Sequence, residues 1–309
     1  MKHNVKITLI ILGMFIITQF IGLYVLSEDP FNIEKEVNGT MQMVPNPALS
    51  WISPPEAQTQ SDFSVFFGSI VFSFIVAISL LFFLTHFKAE FILKAWFFVV
   101  VIIALFISFV AILPTMQYAT IIALVLALPL AFIKIYKRDF LVHNITELFV
   151  YPGIAAVFVP ILNLWTIIAL LIIISIYDMW AVWHSGIMQK MARYQIDKLN
   201  IFSGFFIPYV SKKVKMQIQK MKKFNPKKLK TKKIKVNVAI LGGGDVIFPI
   251  ITAGVMLQFS LVHALFVTVG ATAGLTYLLI FSEKKKFYPA MPFISAGIFI
   301  GMILSWFVL

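Results

Sequence analysis

The stretch LGGGDVIFP, residues 241–249, sets Asp245 inside a hydrophobic run, directly after three glycines. A carboxylate is costly to bury in an apolar medium, and each glycine weakens a helix by about 0.5–1 kcal/mol relative to alanine. How the segment is read depends on the solvent around it. Of the 309 residues 60% are hydrophobic and 13% charged, and the mean hydropathy is +0.94. These are values of a polytopic membrane protein, not of water-soluble domains. Asp245 is therefore an acid placed within a bilayer.

A window of about 19 residues finds nine apolar stretches, at 6–26, 63–85, 91–113, 118–136, 144–162, 163–185, 236–257, 260–282 and 287–308. Each is close to the roughly 20 residues that cross about 30 Å of hydrocarbon. The expected fold is an all-α polytopic membrane protein of nine transmembrane helices. Lys2 and Lys6 precede the first stretch, but its apolar core is longer than that of a signal peptide and no small-residue cleavage site follows, so it reads as a retained anchor. The chain has no cysteine, which removes disulfides, thiolate metal sites and a thiol nucleophile.

Orientation follows from the basic residues. Alternate connections and their span ends hold 25 of the 26 Lys and Arg, Lys35 being the exception. Those segments are expected to be cytoplasmic, with the N-terminus inside and the C-terminus extracellular. The external loop 27–62 is acidic and contains proline, whereas 186–235 carries 15 Lys and Arg against the single acid Asp197. A basic run between two spans reads as a topology determinant touching anionic lipid, not as a nucleic-acid site. It divides the chain into a six-span block, 1–185, a basic loop, 186–235, and a three-span block, 236–309, within one membrane domain.

The acids sort by position. Ten of the thirteen lie in loops or at span ends. Glu147, near the cytoplasmic end of the fifth span, reads as interfacial. Asp178, in IIISIYDMWAVWHS, lies about 7 residues from the cytoplasmic end of the sixth span, and Asp245 about 9 residues into the seventh from the same side. At about 1.5 Å per residue both sit about 10–14 Å deep. An intramembrane acid must face the bundle interior or water, and two at one depth on consecutive spans point to a shared site. A structural hydrogen-bonded pair has the same composition.

Three short motifs now fall in register: Tyr177-Asp178 in the sixth span, Gly242-Gly243-Gly244-Asp245 as G-x-G-D in the seventh, and Pro289-Ala290-Met291-Pro292 opening the ninth. In order and placement on nine spans, with a long cytoplasmic loop between the aspartates, the chain resembles the presenilin and signal peptide peptidase family of intramembrane aspartyl proteases. One departure is visible: the family's usual P-A-L reads Pro289-Ala290-Met291, a near volume-conserving change. Its orientation, short loops and lack of cysteine look most like the prokaryotic, notably archaeal, presenilin homologues. The resemblance implies a GxGD-type intramembrane aspartic endopeptidase in the cell membrane of a prokaryote, with Asp178 and Asp245 as the catalytic pair. It assigns Pro289 to Pro292 to shaping the active site and contacting substrate. It also implies transmembrane peptide substrates, reaching the pair from lipid, and no cofactor or metal. Self-association is compatible with the sequence, and the family includes both members with accessory subunits and members that act alone.

The chemistry suits these residue types. An aspartyl pair needs one ionised carboxylate to activate water and one protonated acid to polarise the scissile carbonyl, so the two share a single proton. Which is the base is not legible. Gly242, Gly243 and Gly244 would let backbone approach closely and let the seventh span bend or unwind before Asp245; close helix packing is the plainer alternative. Tyr177 either hydrogen-bonds in the site or packs, and prolines 289 and 292 alone would only mark a helix start. Gly270-x-x-x-Gly274 and Gly297-x-x-x-Gly301 read as packing faces. His184 and His263 lie near opposite membrane faces, His86 and His143 on the cytoplasmic side, and no H-E-x-x-H occurs, which disfavours a zinc protease. No serine in a G-x-S context shares a depth with a histidine, which disfavours a serine protease. An ion or proton transporter or channel would use the same two carboxylates, but would more often show inverted repeats and further midplane polar residues. A noncatalytic scaffold leaves the depth-matched acids unexplained.

Overall fold

The computed structural model describes residues 5–37, 40–55, 57, 59–86, 90–113, 118–137, 139–185, 203–209, 237–282 and 288–308. They are mostly helical. The helices are α1 (Val5–Ser27), α2 (Gln60–His86), α3 (Glu90–Ile112), α4 (Ala119–Phe132), α5 (Phe140–Phe158), α6 (Leu164–Trp180), α7 (Gly243–Leu257), α8 (Leu261–Phe281) and α9 (Met291–Val308). Eight helical segments among the described residues are long and apolar enough to cross a membrane, α7 being too short. Most of the basic loop, 186–202 and 210–236, lies outside the described residues.

Local chemistry sets several boundaries. Asp139 caps α5 by accepting from the amides of Leu141 and Val142. Asn163 and Thr166 form a reciprocal capping box at the start of α6, with bonds of 2.9 and 2.8 Å, which satisfies amides that helix geometry leaves orphaned. Ser260 caps α8 through the His263 amide.

Two departures from an all-α bundle stand out. The loop between α1 and α2 holds a hairpin of β1 (Asn32–Val37) and β2 (Thr40–Pro45). More consequentially, the stretch 236–257 is not one helix. Asn237–Gly242 forms strand β4, which pairs antiparallel with β3 (Gly204–Tyr209) from the basic loop, Gly204 opposite Gly242 and Tyr209 opposite Asn237. Only Gly243–Leu257 is helical, a rise of about 22 Å over 15 residues. Gly242 sits at φ −63°, ψ 147°, extended, as the helix N-cap. The physical reason is local: pairing with β3 gives the extended segment partners for its backbone groups, and Gly242 at its end gains little from helix.

Helix α1 packs against α5, α7 and α8. At the α8–α9 contact an added Cβ at Gly270 would strike the carbonyl of Gly297, and one at Gly297 that of Gly270. Both small-residue faces thus serve close helix approach. The larger core runs from Phe15 and Leu23 of α1 through Leu171 of α6 to Ile250, Ala264 and Ile298, and takes in Phe205 of β3 and Leu241 of β4. A second core joins α3, α4 and α5.

Candidate active site

The site forms where the end of α6 meets the starts of α7 and α9. Asp178 lies near the C-terminal end of α6 and is 6% exposed. At the start of α9, Ala290 accepts from the amides of Phe293 and Ile294, and Pro292 has no N–H. The Met291 amide still needs an acceptor, and Asp178 Oδ2 is that acceptor at 3.0 Å. Asp178 is thus the cap of a helix over a hundred residues away, and Ser175 bonding Ser295 at 3.0 Å fastens the same two helices. Pro289 and Met291 are buried, Ala290 and Pro292 partly so.

Asp245 is the third residue of α7, in its first turn and partly buried. Its carboxylate folds back on the N-cap: a Cβ at Gly242 would stand 3.1 Å from Oδ2. Helices α6 and α7, which carry Asp178 and Asp245, contact each other, and both contact α9. The three glycines differ. Gly243 is buried against Tyr151 and Ser203, which a Cβ would meet at 3.1 Å, whereas Gly244 is exposed and faces only the Phe248 ring at 3.6 Å. From α1, Gln19 Nε2 donates to the carbonyl of Val246 at 3.1 Å. The Tyr177 ring meets Phe74 edge-on at 5.7 Å and Trp180 at 6.4 Å, so it packs toward α2.

Glu147 corrects the sequence reading. It is not at an interface but 1% exposed, paired with Lys134 at 2.5 Å, with His143 Nε2 3.6 Å away. Lys134 ends the span of α4 in a π-helical turn, Ile133–Lys137, and is also buried. The physical reason is charge pairing: the connection of 138–139 is short, and the two opposite charges lie inside the span ends on either side of it. Depth matching across that connection, the same criterion that singled out the two aspartates, would have found the pair. Gln19 carries no comparable signal in the sequence.

Among the described residues no group of three His, Asp or Glu side chains converges as a metal site requires. A cavity of about 450 Å³ lies at the opposite end of α7, between Leu26, Phe31, Val159, Gly254 and Gln258, away from both aspartates.

A family model described as signal-peptide peptidase, presenilin aspartyl protease matches residues 41–309. Among solved structures, that of a presenilin family intramembrane aspartate protease in a C222 crystal form is 16% identical with a TM-score of 0.59, covering 98% of this chain and 99% of that one. The same description in a P2 crystal form gives 16% and 0.59, with 97% of each chain covered. At such identity these structures speak for the fold. None of the curated proteins compared matches the chain.

Proposed function

Because the chain belongs to the signal peptide peptidase and presenilin family of aspartyl proteases, integral multi-pass membrane proteins that cleave within the membrane, we propose that Asp178 and Asp245 are its catalytic dyad and hydrolyse peptide bonds in transmembrane segments. The observation that carries this is convergence: two acids lie at the ends of consecutive helices that contact each other and the start of α9, where Asp178 takes the Met291 amide. The Gly242 to Asp245 segment is its G-x-G-D element, and Pro289 to Pro292 shapes the site from α9.

One carboxylate, ionised, takes a proton from water as the water oxygen attacks the scissile carbonyl carbon. The other, protonated, gives its proton to the carbonyl oxygen, forming a tetrahedral diol without a covalent enzyme adduct. Collapse returns a proton to the amide nitrogen and breaks the C–N bond. The proton belongs to the pair, not to one residue.

A scissile bond must be presented as extended chain, and the hairpin offers a place for it. The backbone groups of Gly204 and Phe206 bond to α5 side chains, so they point away from β4. By antiparallel alternation their partners Gly242 and Ile240 also point away from β3. Among the described residues no further strand pairs with that edge of β4; the Asp245 carboxylate folds onto its Gly242 end, so the edge runs directly into that acid. A substrate strand added there arrives beside the dyad. We place the N-terminus in the cytoplasm and the C-terminus outside from the charge asymmetry of the loops, and the chain in a prokaryotic cell membrane from its resemblance to prokaryotic presenilin homologues.

The test is purified protein in liposomes with a transmembrane peptide, product masses read alongside proton and cation flux. Asp178→Asn or Asp245→Asn alone should abolish cleavage, since the carboxylates work as a unit. Activity of the unmodified protein should fall on both sides of a pH optimum, because one proton must be shared. Cleavage by both Asn variants would overturn the dyad; flux without cleavage, lost on either substitution, would make the protein a transporter.

A further inference from the structure

The N-terminal end of α5 carries a polar cluster that the proposed chemistry does not use. Glu147 and Lys134 form a buried ion pair, His143 Nδ1 lies 3.4 Å from Lys134 Nζ, and Asn144 is partly exposed beside them. A buried ion pair by itself is weak evidence for stability, because desolvation offsets the attraction. What distinguishes this cluster is where its remaining hydrogen-bonding capacity goes. Glu147 Oε1 accepts from the Gly204 amide at 3.2 Å, and His143 Nε2 bonds the Gly204 carbonyl at 2.8 Å. Asn144 donates to the Phe206 carbonyl at 2.8 Å and accepts from the Phe206 amide at 2.9 Å. These are the bonds a neighbouring strand would make. Pro208, next in the alternation, lacks the N–H that such an edge would present, as proline on a sheet edge does.

We propose that His143, Asn144 and Glu147, with Lys134 behind them, are a dock for strand β3, and that this dock positions Asp245 through the β3–β4 pairing. The connection is short. Gly204 pairs with Gly242, Gly242 is the N-cap of α7, and Asp245 follows three residues later with its carboxylate folded back on that cap. One turn beyond Glu147, Tyr151 continues the contact, its ring edge-on to Phe205 at 5.8 Å and against Gly243. With one edge of β3 filled by α5, the edge of β4 is the one on which a further strand could add among the described residues. These are positioning residues: they act by holding the strand that leads to the acid. The inference rests on Asp245 being catalytic.

Asn144 is the cleanest probe, because its loss leaves no buried charge unpaired. In the full-length protein, Asn144→Ala should lower kcat for the transmembrane peptide at least tenfold. It should also raise amide hydrogen exchange at least tenfold in 203–209 and 237–242 together, with helix amides unchanged. Thr146→Val, on the same helix, removes a hydroxyl that bonds only carbonyls of its own helix and should change neither readout. Lys134→Met with Glu147→Gln keeps an acceptor for the Gly204 amide and should cleave at least fivefold faster than Lys134→Met with Glu147→Leu, which has none. Unchanged exchange in β3 and β4 of Asn144→Ala, or faster exchange with cleavage intact, overturns the proposal. If the unmodified protein does not cleave at all, the catalytic reading has failed, while exchange still reports whether the dock exists.

Discussion

At the scale of single residues, the three glycines before Asp245 have three different reasons to be small. Gly242 makes room for the Asp245 carboxylate and Gly243 for Tyr151 and Ser203, but nothing in the fold itself requires Gly244, whose Cβ would meet only the Phe248 ring at ordinary contact distance. A side chain there fits the folded protein, and only an incoming backbone would need the space. Gly244→Leu should therefore insert and melt like the parent, since replacing glycine in the first turn of a helix loses no contact and lowers the entropy of the unfolded chain. Cleavage of a transmembrane peptide should nevertheless fall by at least a hundredfold, read by product mass beside a thermal melt in detergent. Parental activity with leucine at 244 would mean that no substrate backbone passes there.

At the scale of elements, α9 begins where it does because Asp178 takes the Met291 amide that its own sequence leaves without a partner. A lost N-cap costs about 1 kcal/mol. Asp178→Ala should thus melt about 1–2 °C lower than Asp178→Asn, which keeps an acceptor oxygen, and exchange faster at Met291, although both should be inactive. Equal melting and equal Met291 exchange would show that the cap does not hold α9. The long apolar runs of α1, α3 and α8 were legible because about 20 hydrophobic residues have one use in a bilayer. Strand β4 was not. NVAILG is as apolar as a helix end, and hydropathy does not distinguish a buried strand from a buried helix turn. Its partner β3 lies in a loop whose basic charge dominates any pattern. The aspartates were legible because an unpaired acid is expensive in lipid. Glu147 was misread because its partner Lys134 looked like one more topology-setting charge.

At the scale of the whole molecule, the surface and the charge distribution decide which way the site faces. Large apolar side chains such as Phe91, Trp96, Ile121, Trp165 and Phe307 are more than half exposed, as suits a bundle whose solvent is lipid. The charged segments are confined to its ends. The starts of α7 and α9 and the end of α6 share one end with the basic loop, and the β1–β2 hairpin belongs to the acidic loop at the other. If the basic end is cytoplasmic, Asp178 and Asp245 lie near the cytoplasmic face, and the proposed cleavage falls toward that side. The absence of cysteine makes this directly measurable. A single cysteine at Gln42→Cys, an exposed position on β2, should react with a membrane-impermeant thiol reagent in intact cells, whereas one at Ser211→Cys in the basic loop should react only after the membrane is opened. The reverse pattern would invert the molecule, make the basic loop external and move the cut to the outer side. Labelling of both from outside would mean that the chain does not span the membrane an odd number of times between the two positions as five intervening helices, α2 to α6, require.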